Sequence, residues 1–533
     1  MNIFYGGNTK WNTMIHNGPY FPEPYKQHNI PVIINNRKYI FKNSLVEEYL
    51  TLYAKYVNTD YHNNSTFKKN FFNDFKKILP KELSFIKSID MIDMSLIIKH
   101  LENIKEKKAN MSKEMKQSIK EKRLEIEKPY TTCVINNIIT KVGNYRIEPP
   151  GIFLGRGKHP KLGKIKKRIL PKDVTINIDK NAPIPKPNIG GSWGKVIHDK
   201  TAVWLASWKD NISGKTKYIF TSMDGLFKSK SDLKKFDLAK KLKKKINSIR
   251  DSYLELVNDN DIMKRQIGTV LYLIDNLAIR VGGKKDKDQA DTVGATSLRV
   301  EHIEFMEDNK IRLDFLGKDS IRYCRKIHLD NIIYKNLKEF TSNKNKKKDI
   351  FDRVNPSILN KYLDTLMPGL TGKVWRTYMA SSLLQKELNK IKSSTIDKID
   401  KNERINYLIG LFNMANTKVA ILCNHQKNVS SNLNNVINKI NDRIKSLRKK
   451  IKNTKDKDKK VRYQSKIKLL MLKRETKEKM KNVSLGTSKT NYIDPRIIFA
   501  FIKKFNIPTE KIFTKTLIER FKWASDVSSK YTF

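Results

Sequence analysis

The sequence has very little cysteine. Only three occur among 533 residues, Cys133, Cys324 and Cys423, and they lie far apart. Such sparse thiols suit a reducing compartment, and they lack the close Cys or His spacing of a zinc module. No HExxH sequence occurs either. We therefore expect neither a disulfide framework nor a dedicated metal site.

Long apolar runs are also missing. No stretch approaches the roughly 20 apolar residues that a membrane-spanning helix needs. The N-terminal MNIFYGGNTKWNTM has no hydrophobic signal-peptide region and no arginine typical of a transit peptide. The sequence therefore predicts no association with a membrane.

A phosphate-binding loop for nucleotides is absent. The tripeptide Gly214-Lys215-Thr216 would need a glycine five positions before Gly214, where Lys209 stands instead. Whatever chemistry the chain performs is expected to need no ATP and no metal.

Acidic residues are scarce relative to basic ones. The chain has 54 Asp and Glu against 108 Lys and Arg, a formal net charge of +54. This excess predicts a polyanionic partner, and nucleic acid is the obvious one.

The hydrophobic share of 39% supports folded domains, and the length predicts two to four of them.

Local patterns in the first half predict short strands and charged helices. Apolar residues around Asn35-Asn36 predict a strand pair, whereas residues 1–28 read as an ordered, proline-rich loop. Residues 111–126 have the pattern of an exposed helix with Ser112 as its N-cap. The segments AVWLASW and KYIF predict strands, and residues 224–231 are interpreted as a hinge before a lysine-rich helix.

The second half is predicted to be mainly helical. Residues 262–279 show one apolar helical face, and Gly282-Gly283 is expected to supply the stop. Residues 297–305 alternate as a strand. Alternating segments on either side of the turn LGKDS predict a hairpin with Lys318 at its tip. Helices are then predicted from residue 332 to about 423.

Residues 428–480 are predicted to form a separate helical hairpin. Their first half has apolar residues at heptad spacing, a polar break NTKDKDKK follows, and a second lysine-rich helix comes next. The heptad positions are Ile437, Ile440, Ile444, Leu447 and Ile451.

The stretch GTSKTNYIDPRIIFAFIKKF places Tyr492 at the entrance of a helix. Asp494-Pro495 is a strong helix start, with an N-cap oxygen followed by a residue suited to the first turn. Amide N–H groups and the macrodipole at such an end favour an anion, so a phenol beside a bound phosphate could act as a nucleophile. Most tyrosines near helix ends only pack, and this pattern alone does not separate the two readings.

A glycine- and proline-containing basic segment spans residues 148–170. Glycines let the backbone approach a ligand, and cations neutralise phosphates, so the segment could bind nucleic acid. The alternative without a function is a solvated basic loop. Its cations are Arg156, Lys158, Lys161, Lys164, Lys166, Lys167 and Arg168.

Four other residues that could bind a phosphate lie at predicted helix ends, turns or helices. Each of them also has a purely structural explanation. Arg280 could cap helix carbonyls, Lys318 could be a solvated turn residue, Arg376 could pair with an acid, and His425 could be a satisfied helix-end histidine.

Several motifs together resemble the eukaryotic type IB DNA topoisomerases, in that family's order and over essentially the whole chain. They are EPPGIFLGRGKHPKLG, WLASW, AIRVGGKKDKDQADTVGATSLRVEHIEF, DFLGKDSIRY, KVWRTYMAS, ILCNHQ, LGTSKTNYIDPRI and RFKWASDVSSKY. The resemblance implies five catalytic residues: Arg280, Lys318, Arg376, His425 and Tyr492. It also implies that Arg156, Asp319 and Asn491 contact DNA, and the basic segment adds Lys158, Lys164, Lys167 and Arg168 as candidate DNA contacts.

The resemblance implies a transesterification. Tyr492 would attack a backbone phosphorus and join the 3′ end. The 5′ oxygen would leave as a hydroxyl when Lys318 donates a proton to it, while Arg280, Arg376 and His425 stabilise the charged phosphorus centre. Rotation about the intact strand would then relax supercoils of either sign. Neither ATP nor a metal is required.

The resemblance also implies the architecture. The fold class is α+β and multidomain: a mixed α/β N-terminal DNA-clamp region (1–228), a mainly α catalytic domain with a small antiparallel sheet (229–427), a coiled-coil linker (428–480) and a C-terminal domain (481–533). The expected partner is double-stranded DNA, bound by a monomer. The expected location is the nucleus, or a viral replication site if a virus encodes the chain.

The chain departs from the family pattern in places. Leu154 and Gly283 stand where the family usually has arginine and asparagine, and the linker is shorter than usual. The long charged N-terminal extension is expected to be missing, which leaves basic runs such as Lys243-Lys244-Lys245 for nuclear targeting.

Two rival functions remain open from the residues. A tyrosine site-specific recombinase shares the five-residue chemistry but joins ends from different duplexes. A non-enzymatic architectural DNA-binding protein would be unaffected by Tyr492→Phe. Relaxation of a plasmid without a recombination site separates the first rival from a topoisomerase.

Overall fold

The computed structural model describes residues 9–222, 226–286, 288–426 and 432–533; for residues 226 and 227 it describes the backbone alone. It is about 50% helical with small sheets, an α+β architecture. The chain divides into two compact units. Unit 1 holds the residues up to Phe227 together with Asp286–Asp291, and unit 2 holds Lys228–Lys285 and Thr292–Phe533.

Unit 1 contains most of the strands. Its strands are β1 (Met14–His16), β2 (Val32–Ile34), β3 (Arg37–Tyr39), β4 (Thr132–Ile135), β5 (Ile138–Lys141), β6 (Gly151–Ile152), β7 (Ile165–Lys166), β8 (Val174–Asn177), β9 (Lys195–Ile197), β10 (Trp204–Lys209) and β11 (Thr216–Phe220). Its helices are α1 (Ser44–Ala54), α2 (Ser65–Phe75), α3 (Ser95–Asn110) and α4 (Lys113–Glu127).

These strands form two larger sheets and two hairpins. The order β1-β4-β5 is antiparallel, and in β11-β10-β8-β9 only the pair β8–β9 is parallel. The predicted pair about Asn35-Asn36 is confirmed as β2–β3, with both asparagines in the left-handed region that a tight turn requires. Ser112 caps α4 as predicted, accepting from the Met115 N–H at 3.1 Å.

The prediction of an ordered loop over residues 1–28 was wrong in part. Met14–His16 forms β1, which pairs with β4 more than 100 residues later, and residues 1–8 lie outside the described part of the chain. A three-residue strand has almost no local signal, because its stability comes from the partner strand.

Unit 2 is mainly helical around one large hydrophobic core. Its helices are α5 (Leu226–Leu256), α6 (Ile262–Leu277), α7 (Asn331–Thr341), α8 (Pro356–Leu366), α9 (Gly372–Asn389), α10 (Ser393–Asp397), α11 (Lys401–Leu422), α12 (Leu433–Asn453), α13 (Lys457–Lys479), α14 (Leu485–Asn491), α15 (Pro495–Lys504) and α16 (Lys515–Arg520). In the described residues its antiparallel sheet consists of β12 (Ile303–Phe305), β13 (Lys310–Gly317) and β14 (Ile321–His328).

Helices α12 and α13 pack against each other, and α13 also packs against α11. Ile444 and Leu447 of the heptad positions are buried. The predicted start of this region, residues 428–431, lies outside the described residues.

Three local predictions between residues 224 and 305 were wrong. Residues 226–231 belong to α5 rather than to a hinge, while 224 and 225 lie outside the described residues. Strand β12 begins only at Ile303, because the Ser297 and His302 side chains accept backbone N–H groups and hold two short turns before it. Helix α6 ends at Ala278 (φ +50°), not at a glycine.

The glycines after α6 serve a close backbone approach instead. A Cβ on Gly282 (φ +75°) would lie 2.4 Å from the Cα of Gly294. Across this contact the Ala295 N–H donates to the Arg280 carbonyl at 2.8 Å. Close contact with Gly294 therefore fixes the backbone directly after Arg280.

Candidate active site

The junction between α14 and α15 positions Tyr492. Asp494 caps α15, accepting from the Arg496 N–H at 2.9 Å, and Pro495 occupies the first turn as predicted. The Arg496 guanidinium also binds the Asp494 carboxylate at 2.8 Å. Asp494 is therefore the anion that caps this helix end, and an effect of the helix dipole on the phenol stays a prediction.

The backbone around Tyr492 is held by hydrogen bonds from three sides. The Ser381 hydroxyl donates to the Tyr492 carbonyl at 3.2 Å and accepts from the Asp494 N–H at 3.0 Å. The Lys235 ammonium donates to the Asn491 carbonyl at 3.0 Å. The Tyr492 N–H donates to the Ser488 carbonyl at 3.0 Å. These bonds leave the phenol little freedom to move through its backbone.

Two guanidiniums meet at the phenolic oxygen. Arg280 donates to the Tyr492 hydroxyl at 2.5 Å and Arg376 donates to it at 3.1 Å. Arg376, on α9, is 3% exposed and also donates to the Cys423 carbonyl at 2.9 Å. Burial lowers the pKa of the Arg376 guanidinium, but an arginine remains charged at neutral pH.

His425 lies beside the phenol just after α11. Its ring centre is 5.3 Å from that of Tyr492, and its Nδ1 is 2.8 Å from the Ser488 hydroxyl. Burial, followed by the charges of Arg376 and Arg280, lowers the pKa of His425 to about 3, so the ring is neutral at physiological pH. Its buried Nε2 has no hydrogen-bond partner in the described part of the chain.

Lys318 occupies the predicted hairpin tip. It lies between β13 and β14, exposed, next to Asp319 (φ +66°) and Ser320 (φ +58°). Within residues 9–222, 226–286, 288–426 and 432–533, no hydrogen bond or ion pair joins Lys318 to the other four candidates. The structure thus brings together Arg280, Arg376, His425 and Tyr492, hereafter the Tyr492 cluster.

Three family models together match nearly the whole chain. They are "Eukaryotic DNA topoisomerase I, DNA binding fragment" over residues 9–221, "Eukaryotic DNA topoisomerase I, catalytic core" over 225–458, and "C-terminal topoisomerase domain" over 464–533. The chain is 38% identical to human DNA topoisomerase 1 over 563 aligned positions, which cover 99% of the chain and 72% of that relative. The chain belongs to the eukaryotic DNA topoisomerase I family.

Other members of the eukaryotic DNA topoisomerase I family show the same relationship. DNA topoisomerase 1 of Candidozyma auris is 37% identical, with 97% of the chain and 82% of the relative covered. DNA topoisomerase 1 beta of Arabidopsis thaliana is 41% identical, with 99% of the chain covered. The chain spans about 60% of the length of that plant relative.

The candidate DNA contacts of unit 1 include exposed cations and cations that form ion pairs with carboxylates of the same unit. Arg156, Lys158 and Lys167 are exposed. Lys164 binds the Asp74 carboxylate at 2.9 Å. Arg168 binds the Glu48 carboxylate at 2.6 Å and the Glu23 carbonyl at 2.9 Å. The last two cations hold unit 1 together, and their contact with DNA stays a prediction.

The structure also locates the two remaining candidate DNA contacts and the two positions that depart from the family pattern. Asp319 is exposed at the hairpin tip, and Asn491 ends α14 directly before Tyr492. Leu154 is partly buried and packs against one hydrophobic core of unit 1. A Cβ on Gly283 would meet nothing closer than Pro356, at 3.5 Å.

Sequence reasoning missed the residues that hold the cluster in place. Ser381, Lys235 and Ser488 all bind backbone or side chains next to the phenol. Only Ser488 could have been found from the sequence, because it precedes Tyr492 by four residues, about one turn of a helix.

In the described residues no helix is long and apolar enough to cross a membrane, and no three His, Cys, Asp or Glu are grouped to hold a metal ion.

Proposed function

We propose that the chain is a type IB DNA topoisomerase that cuts one strand through Tyr492 and rejoins it after rotation. The observation that carries this proposal is the convergence of two guanidiniums on one buried phenolic oxygen. Family membership supplies the reaction class, and the cluster supplies groups suited to it.

The reaction exchanges one phosphodiester for another. The Tyr492 oxygen bonds to phosphorus at the 3′ side of the cut and gives up its proton to solvent, while the bond to the 5′ oxygen breaks. That oxygen leaves as a hydroxyl when Lys318 donates a proton. Religation reverses each step, and because ester replaces ester, no ATP is consumed.

The cluster suits the charge that develops at phosphorus. Arg280 and Arg376 present planar donor forks that match the non-bridging oxygens, and neutral His425 can offer one more N–H. Aimed donors of this kind are each worth on the order of 3 kcal/mol in a shielded site. No step in this scheme uses a metal ion.

The proposal extends to the rest of the chain. Residues 1–228 form the DNA-clamp region, 229–427 the catalytic domain, 428–480 the coiled-coil linker and 481–533 the C-terminal domain. Double-stranded DNA is the partner of a monomer, in the nucleus or at a viral replication site. The net charge of +54 supports this partner and predicts a steep loss of affinity with salt.

A plasmid assay tests the proposal. Wild type should relax negatively and positively supercoiled plasmid without ATP and with EDTA present, and denaturation during turnover should trap a nicked strand on protein. Tyr492→Phe should abolish both while keeping DNA affinity, because it removes only the hydroxyl. Unchanged relaxation by Tyr492→Phe, or a wild type that never becomes trapped, would overturn the proposal.

A further inference from the structure

Ser488 touches two members of the Tyr492 cluster at once. Its side chain is fully buried, and its hydroxyl oxygen lies 2.8 Å from Nδ1 of His425. Its carbonyl accepts the N–H groups of Tyr492 and Ile493, both at 3.0 Å. One residue therefore connects the imidazole to the backbone of the nucleophile.

The hydrogen bond has two possible directions with different consequences. A neutral imidazole carries one N–H, on either Nδ1 or Nε2. If Nδ1–H donates to the Ser488 oxygen, Nε2 is bare and can only accept. If the Ser488 hydroxyl donates to Nδ1, the ring proton must sit on Nε2.

The surroundings favour the second direction. Among the described residues, Nδ1 of His425 is the one hydrogen-bond partner of the Ser488 hydroxyl. In the first direction the buried hydroxyl proton would have no acceptor, which is costly away from water. In the second direction both Ser488 and Nδ1 are satisfied, and Nε2–H remains as a donor.

We propose that Ser488 is a positioning residue that holds His425 as the Nε2–H tautomer, ready to donate to a non-bridging oxygen of the reacting phosphate. This inference rests on the proposed topoisomerase function. Nε2 of His425 is buried and unpartnered in the described part of the chain, as a donor reserved for a substrate would be. Without the Ser488 hydroxyl, both tautomers compete and the ring loses one of its anchors.

Single-turnover strand cleavage tests the proposal in a double-mutant cycle. Ser488→Ala should slow cleavage about tenfold with DNA affinity unchanged, since one orienting hydrogen bond is lost. Ser488→Thr, which keeps a hydroxyl, should recover most of the rate. In a His425→Ala background, Ser488→Ala should have little further effect, because Ser488 acts through that ring.

Thr417 provides the matched control. It is a buried hydroxyl residue on α11, the helix that leads to His425. Within the described part of the chain its hydroxyl donates only to the Asn413 carbonyl of its own helix, at 2.7 Å. Thr417→Val should leave the cleavage rate unchanged. An equal rate loss from Ser488→Ala with and without His425, or no loss at all, would overturn the proposal.

Nitrogen NMR of labelled histidine separates this inference from the function on which it rests. The signal that disappears in His425→Ala should show a protonated Nε2 and an unprotonated Nδ1, and Ser488→Ala should mix the two tautomers. A protonated Nδ1 in wild type overturns the inference. A wild type that never traps DNA while showing the Nε2–H tautomer would instead contradict the proposed function.

Discussion

The Arg376 guanidinium donates to the Tyr492 hydroxyl at 3.1 Å, and its central carbon lies 4.7 Å from the centre of the same ring. Arg376 binds the Cys423 carbonyl with its other terminal nitrogen. The side chain is therefore fixed at one end by backbone and presents the other to the phenol. A planar fork presents these donors in fixed directions, whereas an ammonium has no such fixed geometry.

Arg376→Lys should accordingly lower the single-turnover cleavage rate at least about 100-fold, the effect of losing one aimed donor. DNA affinity should change little, because the positive charge is kept. Arg265→Lys is the control, since Arg265 forms an ion pair with half-exposed Glu339 away from the cluster. Cleavage by Arg376→Lys within a few fold of wild type would contradict the assigned role.

Lys318→Ala should slow cleavage of an ordinary DNA strand. It should leave the cleavage rate unchanged for a strand with sulfur in place of oxygen at the 5′ bridging position. An alkoxide leaving group needs a proton, whereas a thiolate is stable near neutral pH and leaves without one. The measurement is the ratio of the two cleavage rates in each variant. Lys326→Ala, an exposed lysine on strand β14, should behave as wild type on both strands. Equal slowing on both strands would exclude a general-acid role for Lys318.

Gly282→Ala should destabilise unit 2 and slow cleavage together. The added Cβ would meet the Gly294 backbone at 2.4 Å, at a φ of +75° that other residues avoid, so we expect a loss of at least about 2 kcal/mol. Gly214→Ala isolates the conformational part, because Gly214 has a φ of +68° with open space around it. Thermal unfolding and cleavage rates measure the two effects. Equal shifts for both variants would show that the contact with Gly294 is unimportant.

Lys235 makes stability depend on pH in an unusual direction. Burial, opposed by nearby Asp232, lowers the pKa of Lys235 from 10.5 to about 8. Between those values the unfolded chain binds more protons at this position, so the free energy of unfolding rises with pH. Relative to Lys235→Met, wild type should gain about 2 kcal/mol between pH 7 and 10.

Thermal unfolding of the two proteins at several pH values measures this difference. The exposed neighbour supplies the control, because Lys234→Met should show no such dependence on pH. A difference between wild type and Lys235→Met that stays constant with pH would mean that Lys235 is not shielded from water.

Errors of prediction from the sequence arose from a distant strand partner, from side chains that bind nearby backbone and from an alanine in the left-handed conformation. Strand β1 escaped notice because its partner β4 lies more than 100 residues away. The first part of the predicted strand at 297–305 became turns because Ser297 and His302 bind nearby N–H groups. The α6 stop was placed on glycine, yet Ala278 adopts the left-handed conformation.

The sequence by itself determined the features that depend on neighbours along the chain: the cap of α15 at Asp494, the hairpin about Lys318 and the heptad face of α12. Side-chain periodicity and turn chemistry act over a few residues, so these features are readable locally. Only the tertiary structure decided which distant groups meet. Arg280 reaches Tyr492 across 212 positions, and burial beside two guanidiniums keeps His425 neutral. Desolvation and through-space charge have no signature along the chain, because they arise only when the core closes around these groups.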